Sequence, residues 1–161
     1  MAPKGYSVTQ IGLHWIVAGL IVVNLVFEDW IKTGWRAIED GGAPVYDAGA
    51  IAHIGVGVAV LIFALWRIAL RFTRGVPDAP AGVTGPVKLA GHLGHLALYA
   101  LMIGVPVVGL MAWFGASEDL AELHELGKPL FMLLILAHVG AALWHHFIRK
   151  DGLLNRMRRP G

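Results

Sequence analysis

Residues 123–149 read LHELGKPLFMLLILAHVGAALWHHFIR, and this stretch decides the fold of the chain. Between residues 129 and 147 it contains no Asp, Glu, Lys or Arg. As an α-helix, this uncharged part would extend about 28 Å, close to the hydrocarbon thickness of a membrane. Ionisable side chains are costly in a spanning helix and are usually there for function. Yet the stretch holds four of the eight histidines: His124, His138, His145 and His146.

The composition of the whole chain also indicates a membrane protein. Of its 161 residues, 57% are hydrophobic and only 15% are charged, and the mean hydropathy is +0.65. Soluble domains rarely combine these values with several long uncharged runs. The chain has no cysteine, which excludes disulfides, iron–sulfur clusters and thiolate metal sites. Because the chain is so hydrophobic, we expect membrane lipid among its partners. No nucleic-acid-binding motif is present, so we expect no nucleic acid among them.

We predict an all-α integral membrane four-helix bundle that forms a single domain over residues 1–161. The expected spans are approximately residues 8–28, 48–71, 86–115 and 123–149. The first run is long and is followed by no small-residue cleavage site, so we interpret it as a retained span and not as a signal peptide. The polar residues 28–47, which contain glycine and proline, are predicted to be a loop.

Short motifs predict where the helices begin and end. Ser7 and Gln10 fit a capping box before the first span, and Asp47 is a plausible N-cap for the second. Gly75 should end the second span, and Pro106 should kink the third. Ser117 is expected to cap a short acidic segment that leads into the fourth span.

The distribution of Lys and Arg predicts the orientation. With an even number of spans both termini share one side, which holds ten basic residues: Lys4, Arg67, Arg71, Arg74, Lys88, Arg149, Lys150, Arg156, Arg158 and Arg159. The other side holds only Lys32, Arg36 and Lys128. The positive-inside rule therefore places both termini in the cytoplasm. The outer loops carry nine acidic residues and are net acidic.

The histidines fall at matching depths on different helices. His14 lies near the cytoplasmic end of the first span, and His53 lies near the outer end of the second. On the fourth span His124 is outer and His138 is intermediate. Inward-facing histidines on two helices of a bundle are a common way to hold haem, with one axial ligand from each helix.

Helical arithmetic tests which histidines of the fourth span could each hold a haem. His124 and His138 are 14 residues apart, which puts them within about 40° of one face and about 21 Å apart along the axis. His138 and His145 also share a face but are only about 10 Å apart, too close for two macrocycles. For the partner of His14, the arithmetic leaves both His138 and His145 open.

Other polar residues near the predicted cytoplasmic end have two interpretations each. Arg67 follows His53 by 14 residues, so it should face the inner site and contact haem propionates or a quinone oxygen. Arg71 is a further candidate for such propionate or quinone contacts. A positive-inside anchor explains Arg67 equally well and Arg71 better. His92 and His95 share a helix face but lack the carboxylates and cysteines of a metal cage. We assign them to propionate or quinone contacts, with interfacial packing as the alternative.

The chain resembles the bacterial cytochrome b561 family, which includes proteins described as superoxide oxidases. The resemblance covers nearly the whole chain. The motifs that carry it are His14-Trp15, His53, Trp66-Arg67 with Arg71, His92-Leu93-Gly94-His95, Leu98-Tyr99 with Pro106 and Gly109-Leu110, and Ala141-Ala142-Leu143-Trp144-His145-His146-Phe147-Ile148-Arg149-Lys150-Asp151.

The resemblance implies two b-type haems, with His14 and His138 as axial ligands of the inner haem iron. His53 and His124 would then bind the outer haem iron, and His145 and His146 would have supporting roles. It further implies a multi-pass protein of the bacterial inner membrane. The expected activity is that of an oxidoreductase that passes single electrons from an outer donor to ubiquinone.

The identity of the donor is open at this point. Superoxide, oxidised to O₂, is one candidate, and a periplasmic redox protein is the other. Acidic outer loops disfavour an anionic donor, although Lys32 and Arg36 could form a local positive funnel. Other interpretations are a haem-bearing anchor for a separate dehydrogenase or hydrogenase, a histidine-based metal transporter, and a purely structural membrane protein. A second copy of the chain, in a homodimer, is a further candidate partner.

Overall fold

The computed structural model describes Pro3, residues 5–80 and residues 82–161, and these residues contain helices and no β-strand. The α-helices are α1 (Val8–Val26), α2 (Lys32–Glu39), α3 (Ala48–Arg74), α4 (Gly85–Gly115), α5 (Glu118–Glu125) and α6 (Gly127–Trp144). A 3₁₀ turn (Glu28–Ile31) precedes α2, a π-helical turn (His145–Arg149) follows α6, and a second 3₁₀ turn covers Leu154–Met157. Lys4, which contributed to the predicted orientation, lies outside the described residues.

Within the described part of the chain, four helical segments are long and apolar enough to cross a membrane. They are α1, α3, α4 and the segment Glu118–Arg149, which joins α5 to α6. These segments confirm the four predicted spans, although the third begins at Gly85 and the fourth already at Glu118. Large apolar side chains such as Leu133 and Leu136 are 65% and 69% exposed on α6. Such exposure is expected where a helix faces lipid and not water.

The predicted helix starts are confirmed in detail. Ser7 and Gln10 form the reciprocal hydrogen bonds of a capping box at the start of α1. The Ala50 amide donates to Asp47 Oδ1 at 2.7 Å, and the Leu120 amide donates to Ser117 Oγ at 3.4 Å. At the end of α3, Gly75 has a φ of +76°, a conformation that glycine adopts without strain.

The prediction of a loop over residues 28–47 was wrong, because this segment contains the 3₁₀ turn and α2. Seven of its twenty residues are charged, but Gly34 and Ile38 lie on one helix face and are buried. A Cβ on Gly34 would come within 2.8 Å of the Trp113 ring, so α2 lies directly against α4. The helix therefore covers one end of the bundle. The burial of its apolar face stabilises it although its polar residues favour a loop.

An apolar cluster occupies the middle of the bundle. Helix α1 packs on α3, α3 packs on α4, and α4 packs on α5 and α6. The buried members of the cluster are Val17, Ile21, Val60, Ala64, Met102 and Phe131. Along α1 and α3 these residues lie between the histidines and polar residues at either end. The cluster thus separates two polar regions at different depths.

The two chain termini meet at the same end of the bundle. Trp15 Nε1 donates to the Met157 carbonyl at 2.8 Å, and Gln10 Nε2 donates to the Gly75 carbonyl at 3.1 Å. These bonds tie α1 to the C-terminal tail and to the end of α3. We refer to this end as the terminal end and to the α2 end as the outer end. That the terminal end faces the cytoplasm stays a prediction from the Lys and Arg distribution.

Candidate cofactor site

Two pairs of histidine rings face each other inside the bundle. At the outer end, His53 of α3 and His124 of α5 have ring centroids 6.1 Å apart, with an angle of 73° between the rings. Towards the terminal end, His14 of α1 and His138 of α6 have centroids 6.2 Å apart at 49°. All four rings are half-buried. Each pair therefore joins an early helix to the C-terminal span.

These separations suit two axial ligands of one metal ion. An imidazole nitrogen binds a transition metal at about 2 Å. Two imidazoles on opposite sides of one ion therefore have centroids roughly 6 Å apart, since each centroid lies beyond its bound nitrogen. Both pairs have this spacing. Each pair is therefore spaced as two ligands of one metal ion would be.

His124 is held in a defined orientation by α4. Its Nδ1 donates to the Val105 carbonyl at 2.8 Å, so Nε2 is the nitrogen left to bind a metal. A Cβ on Gly109 would lie 2.6 Å from Cε1 of the same ring. Glycine at this position therefore provides the space that the imidazole occupies.

The outer pair lies in a cavity of about 570 Å³, a size typical of small-molecule and cofactor sites. Its deep wall is apolar and includes Ile21, Val60 and Phe131. Its mouth carries cations and carboxylates together: Glu28, Lys32, Arg36, Glu39, Glu125 and Lys128. Trp35 and Trp113 also line it, and they are 6.3 Å apart between ring centroids.

Ion pairs neutralise two of the cations at this mouth. Lys32 pairs with Asp29, and Lys128 pairs with Glu28. The hydrogen bond and the charge of Asp29 raise the pKa of Lys32, and the same contact lowers the pKa of Asp29. Among the described residues, Arg36 takes part in no ion pair. Of the two cations that the sequence suggested would attract an anion, Lys32 and Arg36, only Arg36 therefore keeps a positive charge without a paired carboxylate in the described structure.

Arg67 lies beside the inner pair. Its Nη2 is 3.4 Å from His14 Nδ1, and its guanidinium carbon is 5.8 Å from the centroid of the Tyr99 ring. Its Nε and Nη1 are buried and have no hydrogen-bond partner among the described residues. A buried guanidinium without an acidic partner is costly, so these atoms indicate an anionic group of a ligand. A haem propionate is such a group.

His95 is closer to the inner pair than its sequence position suggested. Its ring centroid is 5.2 Å from that of His138, and the rings are perpendicular. Its Nδ1 donates to the Gly91 carbonyl of its own helix at 2.6 Å. In the described part of the chain, no group of three or more His, Asp or Glu residues is placed to hold a metal ion. The position of His95 suits a residue at the edge of the inner site.

A second cavity of about 500 Å³ lies at the terminal end. Basic and titratable residues of several segments line it: Tyr6, Arg71, Asp78, Lys88, His92, His95, His145 and Arg156. Burial raises the pKa of Tyr6 and outweighs the opposing effect of Arg71. Arg71, His92 and His95, which the sequence grouped together, thus share one cavity.

His145, the alternative partner of His14 by helical arithmetic, makes a different contact. It is buried, and its Nδ1 lies 2.5 Å from Asp151 Oδ2. Burial would raise the pKa of Asp151, but hydrogen bonds from His145 and the Leu153 amide, with the charge of Arg149, hold it below its usual value. His138, and not His145, is the histidine that faces His14.

A family model described as "Prokaryotic cytochrome b561" matches residues 5–160. The chain belongs to this family. It is 40% identical over 156 residues to cytochrome b562 of Cereibacter sphaeroides, covering 97% of this chain and 96% of that protein. It is 30% identical to "Probable superoxide oxidase CybB" of Yersinia pestis and 28% identical to "Cytochrome b561 homolog 1" of Escherichia coli, and both matches cover at least 94% of each chain.

Family membership establishes the general character of this prokaryotic cytochrome b561. It is a membrane cytochrome of electron transport, multi-pass in the bacterial inner membrane, and its family implies b-type haem. The paired rings, the unpartnered Arg67 nitrogens and the space left by Gly109 all fit such a group. The residues of the bundle interior are therefore compatible with haem.

Gly109→Ala tests whether the space beside His124 matters for haem binding. We expect about 10- to 100-fold weaker retention of the outer haem, because the added methyl group would displace the His124 ring from its position. Gly104→Ala on the same helix is the control, since a Cβ there has no neighbour within 4 Å. Haem transfer to apomyoglobin measures retention. Equal retention by the two variants would contradict the assigned role of Gly109.

Proposed function

We propose that this chain is a di-haem cytochrome that moves single electrons across the membrane, from a donor at the outer end to membrane quinone. The observation that carries the proposal is the presence of two histidine pairs with the spacing of axial ligands. They lie at different depths on either side of one apolar cluster. A single pair would place a redox centre at one depth only.

His53 and His124 would hold the outer haem, and His14 and His138 the inner one. When bound, each haem supplies a one-electron iron couple, and two imidazole ligands leave its iron no open position for O₂. The 14 residues between His124 and His138 correspond to about 21 Å along a helix. That separation spans most of the hydrocarbon core, so donor and acceptor can act at opposite faces.

The protein side chains contribute position and electrostatics. The Val105 carbonyl fixes the ring of His124, and Gly109 leaves room for it. The apolar cluster excludes water between the two pairs, which keeps the dielectric constant low around both. Arg67 supplies a positive charge beside His14 that would compensate a propionate and favour the reduced state at the inner site.

For the acceptor, the terminal-end cavity is the supporting observation. Its volume of about 500 Å³ is suited to a small-molecule head group, and it is lined by the donors of Arg71 and by the imidazole rings of His92 and His95. His95 also contacts His138, so the cavity adjoins the inner pair. We therefore place ubiquinone reduction at this end.

For the donor, we propose superoxide. A full-length relative at 30% identity is described as a probable superoxide oxidase. Arg36 is exposed at the mouth of the outer cavity and would attract a small anion. Two superoxide ions would give up one electron each and leave as O₂, and the two electrons with two protons would convert one quinone to quinol.

A cationic redox protein is the second candidate donor. The specific observation in its favour is the net acidic character of the outer loops, where nine carboxylates oppose three cations. Such a surface would attract a basic partner and repel an anion. Superoxide requires a positive charge at the outer end, and a basic protein requires a negative one. Reversing the charge of one residue there therefore distinguishes the two donors.

Haem content of histidine variants tests the proposed ligands. A pyridine haemochrome assay should find two haems per wild-type chain, and one each for His124→Ala and His138→Ala, because each variant removes one axial ligand. His146→Ala, on the π-helical turn, should retain both. Loss of a haem from His146→Ala or His145→Ala but not from His138→Ala would show that the inner pair is assigned wrongly.

Arg36→Glu tests the donor. We expect superoxide to reduce this variant about tenfold more slowly at low ionic strength, since electrostatic steering can raise association rates by about 10- to 1,000-fold. The difference should shrink as salt is added. Lys150→Glu at the terminal end is the charge-matched control. An unchanged superoxide rate, with faster reduction by a basic redox protein, would favour the protein donor.

A further inference from the structure

Asn24 brings a polar side chain into the outer half of the bundle. It lies near the outer end of α1 and lines the outer cavity. Its Nδ2 donates to the His53 main-chain carbonyl at 3.2 Å, which connects α1 to α3. Its Oδ1 is buried and has no hydrogen-bond partner among the described residues. Half of the amide is therefore unsatisfied.

His53 has a ring nitrogen that lacks a hydrogen-bond partner among the residues that the structure describes. Its Nδ1 is also buried and also has no partner in the described part of the chain. An imidazole that binds a metal through Nε2 carries its proton on Nδ1, so this atom needs an acceptor. An amide oxygen can only accept. The unsatisfied donor and the unsatisfied acceptor thus belong to two residues that are already in contact.

Other histidines of the chain show what is missing at His53. His124 Nδ1 donates to the Val105 carbonyl, and His95 Nδ1 donates to Gly91, the residue four positions earlier in its helix. The equivalent acceptor for His53 would be the Gly49 carbonyl, but the described structure shows no such bond. Asn24 Oδ1 is an acceptor of the right type on the adjacent helix.

We propose that Asn24 is a positioning residue for the outer site: its Oδ1 accepts a hydrogen bond from His53 Nδ1 when His53 Nε2 binds the haem iron. This inference rests on the proposed function, in which His53 is an axial ligand. The hydrogen bond fixes the tautomer and the ring orientation of His53 and makes the imidazole a stronger electron donor. A stronger donor stabilises oxidised iron and lowers the reduction potential of the outer haem.

The inner pair has the opposite environment. The Arg67 guanidinium lies 3.4 Å from His14 Nδ1 and has only donors, so it offers this ring no acceptor, and its positive charge favours the reduced state. A lower potential at the outer site and a higher one at the inner site would drive electrons from the outer end towards the terminal end. Asn24 and Arg67 together would then set the direction of flow that the proposed function requires.

Redox titration of Asn24 variants in a His138→Ala chain tests this inference, because that background should contain the outer haem alone. Asn24→Leu removes the acceptor and should raise the midpoint potential by about 59 mV, a tenfold change in the one-electron reduction equilibrium. Asn24→Asp keeps an acceptor oxygen and should leave the potential unchanged or lower it. If Asn24→Leu does not retain haem, Asn24→Ala replaces it.

Val22→Ala is the control, since Val22 lies on the same helix as Asn24, is 52% exposed and is not among the residues that line the outer cavity. Its potential should stay at the parent value. The inference is overturned if Asn24→Leu and Asn24→Asp shift the potential in the same upward direction, or if neither shifts it. The haem content of the wild-type chain, measured first, tests the proposed function separately: two haems with no Asn24 effect refutes only the role of Asn24.

Discussion

A histidine ring inside a membrane bundle must find partners for two nitrogen atoms where water and charged groups are scarce. In this protein four such rings are arranged as two facing pairs, and much of the interior follows from that arrangement. The bundle keeps each pair about 6 Å apart and fills the space between the pairs with apolar side chains. The Val105 carbonyl accepts a hydrogen bond from the His124 ring, and Gly109 leaves the space that this ring occupies.

The two pairs differ in what surrounds them, and the difference has a functional meaning. The inner pair lies beside the Arg67 guanidinium, whereas the outer pair has the neutral Val105 carbonyl of α4 as an acceptor and, in our proposal, also the Asn24 amide oxygen of α1. Positive charge and neutral acceptors act on an iron couple in opposite directions. The asymmetry gives a physical reason for the proposed direction of electron flow, and composition and residue spacing contain no such information.

The architecture could be predicted because it depends on local properties of the sequence. Uncharged runs define spans, and Ser7, Asp47 and Ser117 define helix starts by side-chain hydrogen bonds within three residues. The 14-residue spacing of His124 and His138 likewise follows from helix geometry. Orientation relative to the membrane and the ligand roles of the histidines remain predictions.

Features that depend on contacts between distant segments could not be predicted. Helix α2 was missed because the glycines, the proline and the charges of residues 28–47 favour a loop, and the burial that stabilises the helix depends on Gly34 packing against Trp113, far along the chain. The choice between His138 and His145 as the neighbour of His14 was open by arithmetic, since both share one helix face. In the structure, α6 gives way to a π-helical turn at His145, and Asp151 binds that ring. Nothing in the spacing indicates this contact.

The central claim is that two haem irons lie between His14 and His138 and between His53 and His124. An anomalous difference map, recorded at the iron absorption edge from crystals of the haem-loaded protein, tests it most directly. We expect two iron peaks, one within each histidine pair, separated by about 21 Å along the bundle axis. A single peak, or a peak beside His145 or His92, would contradict it.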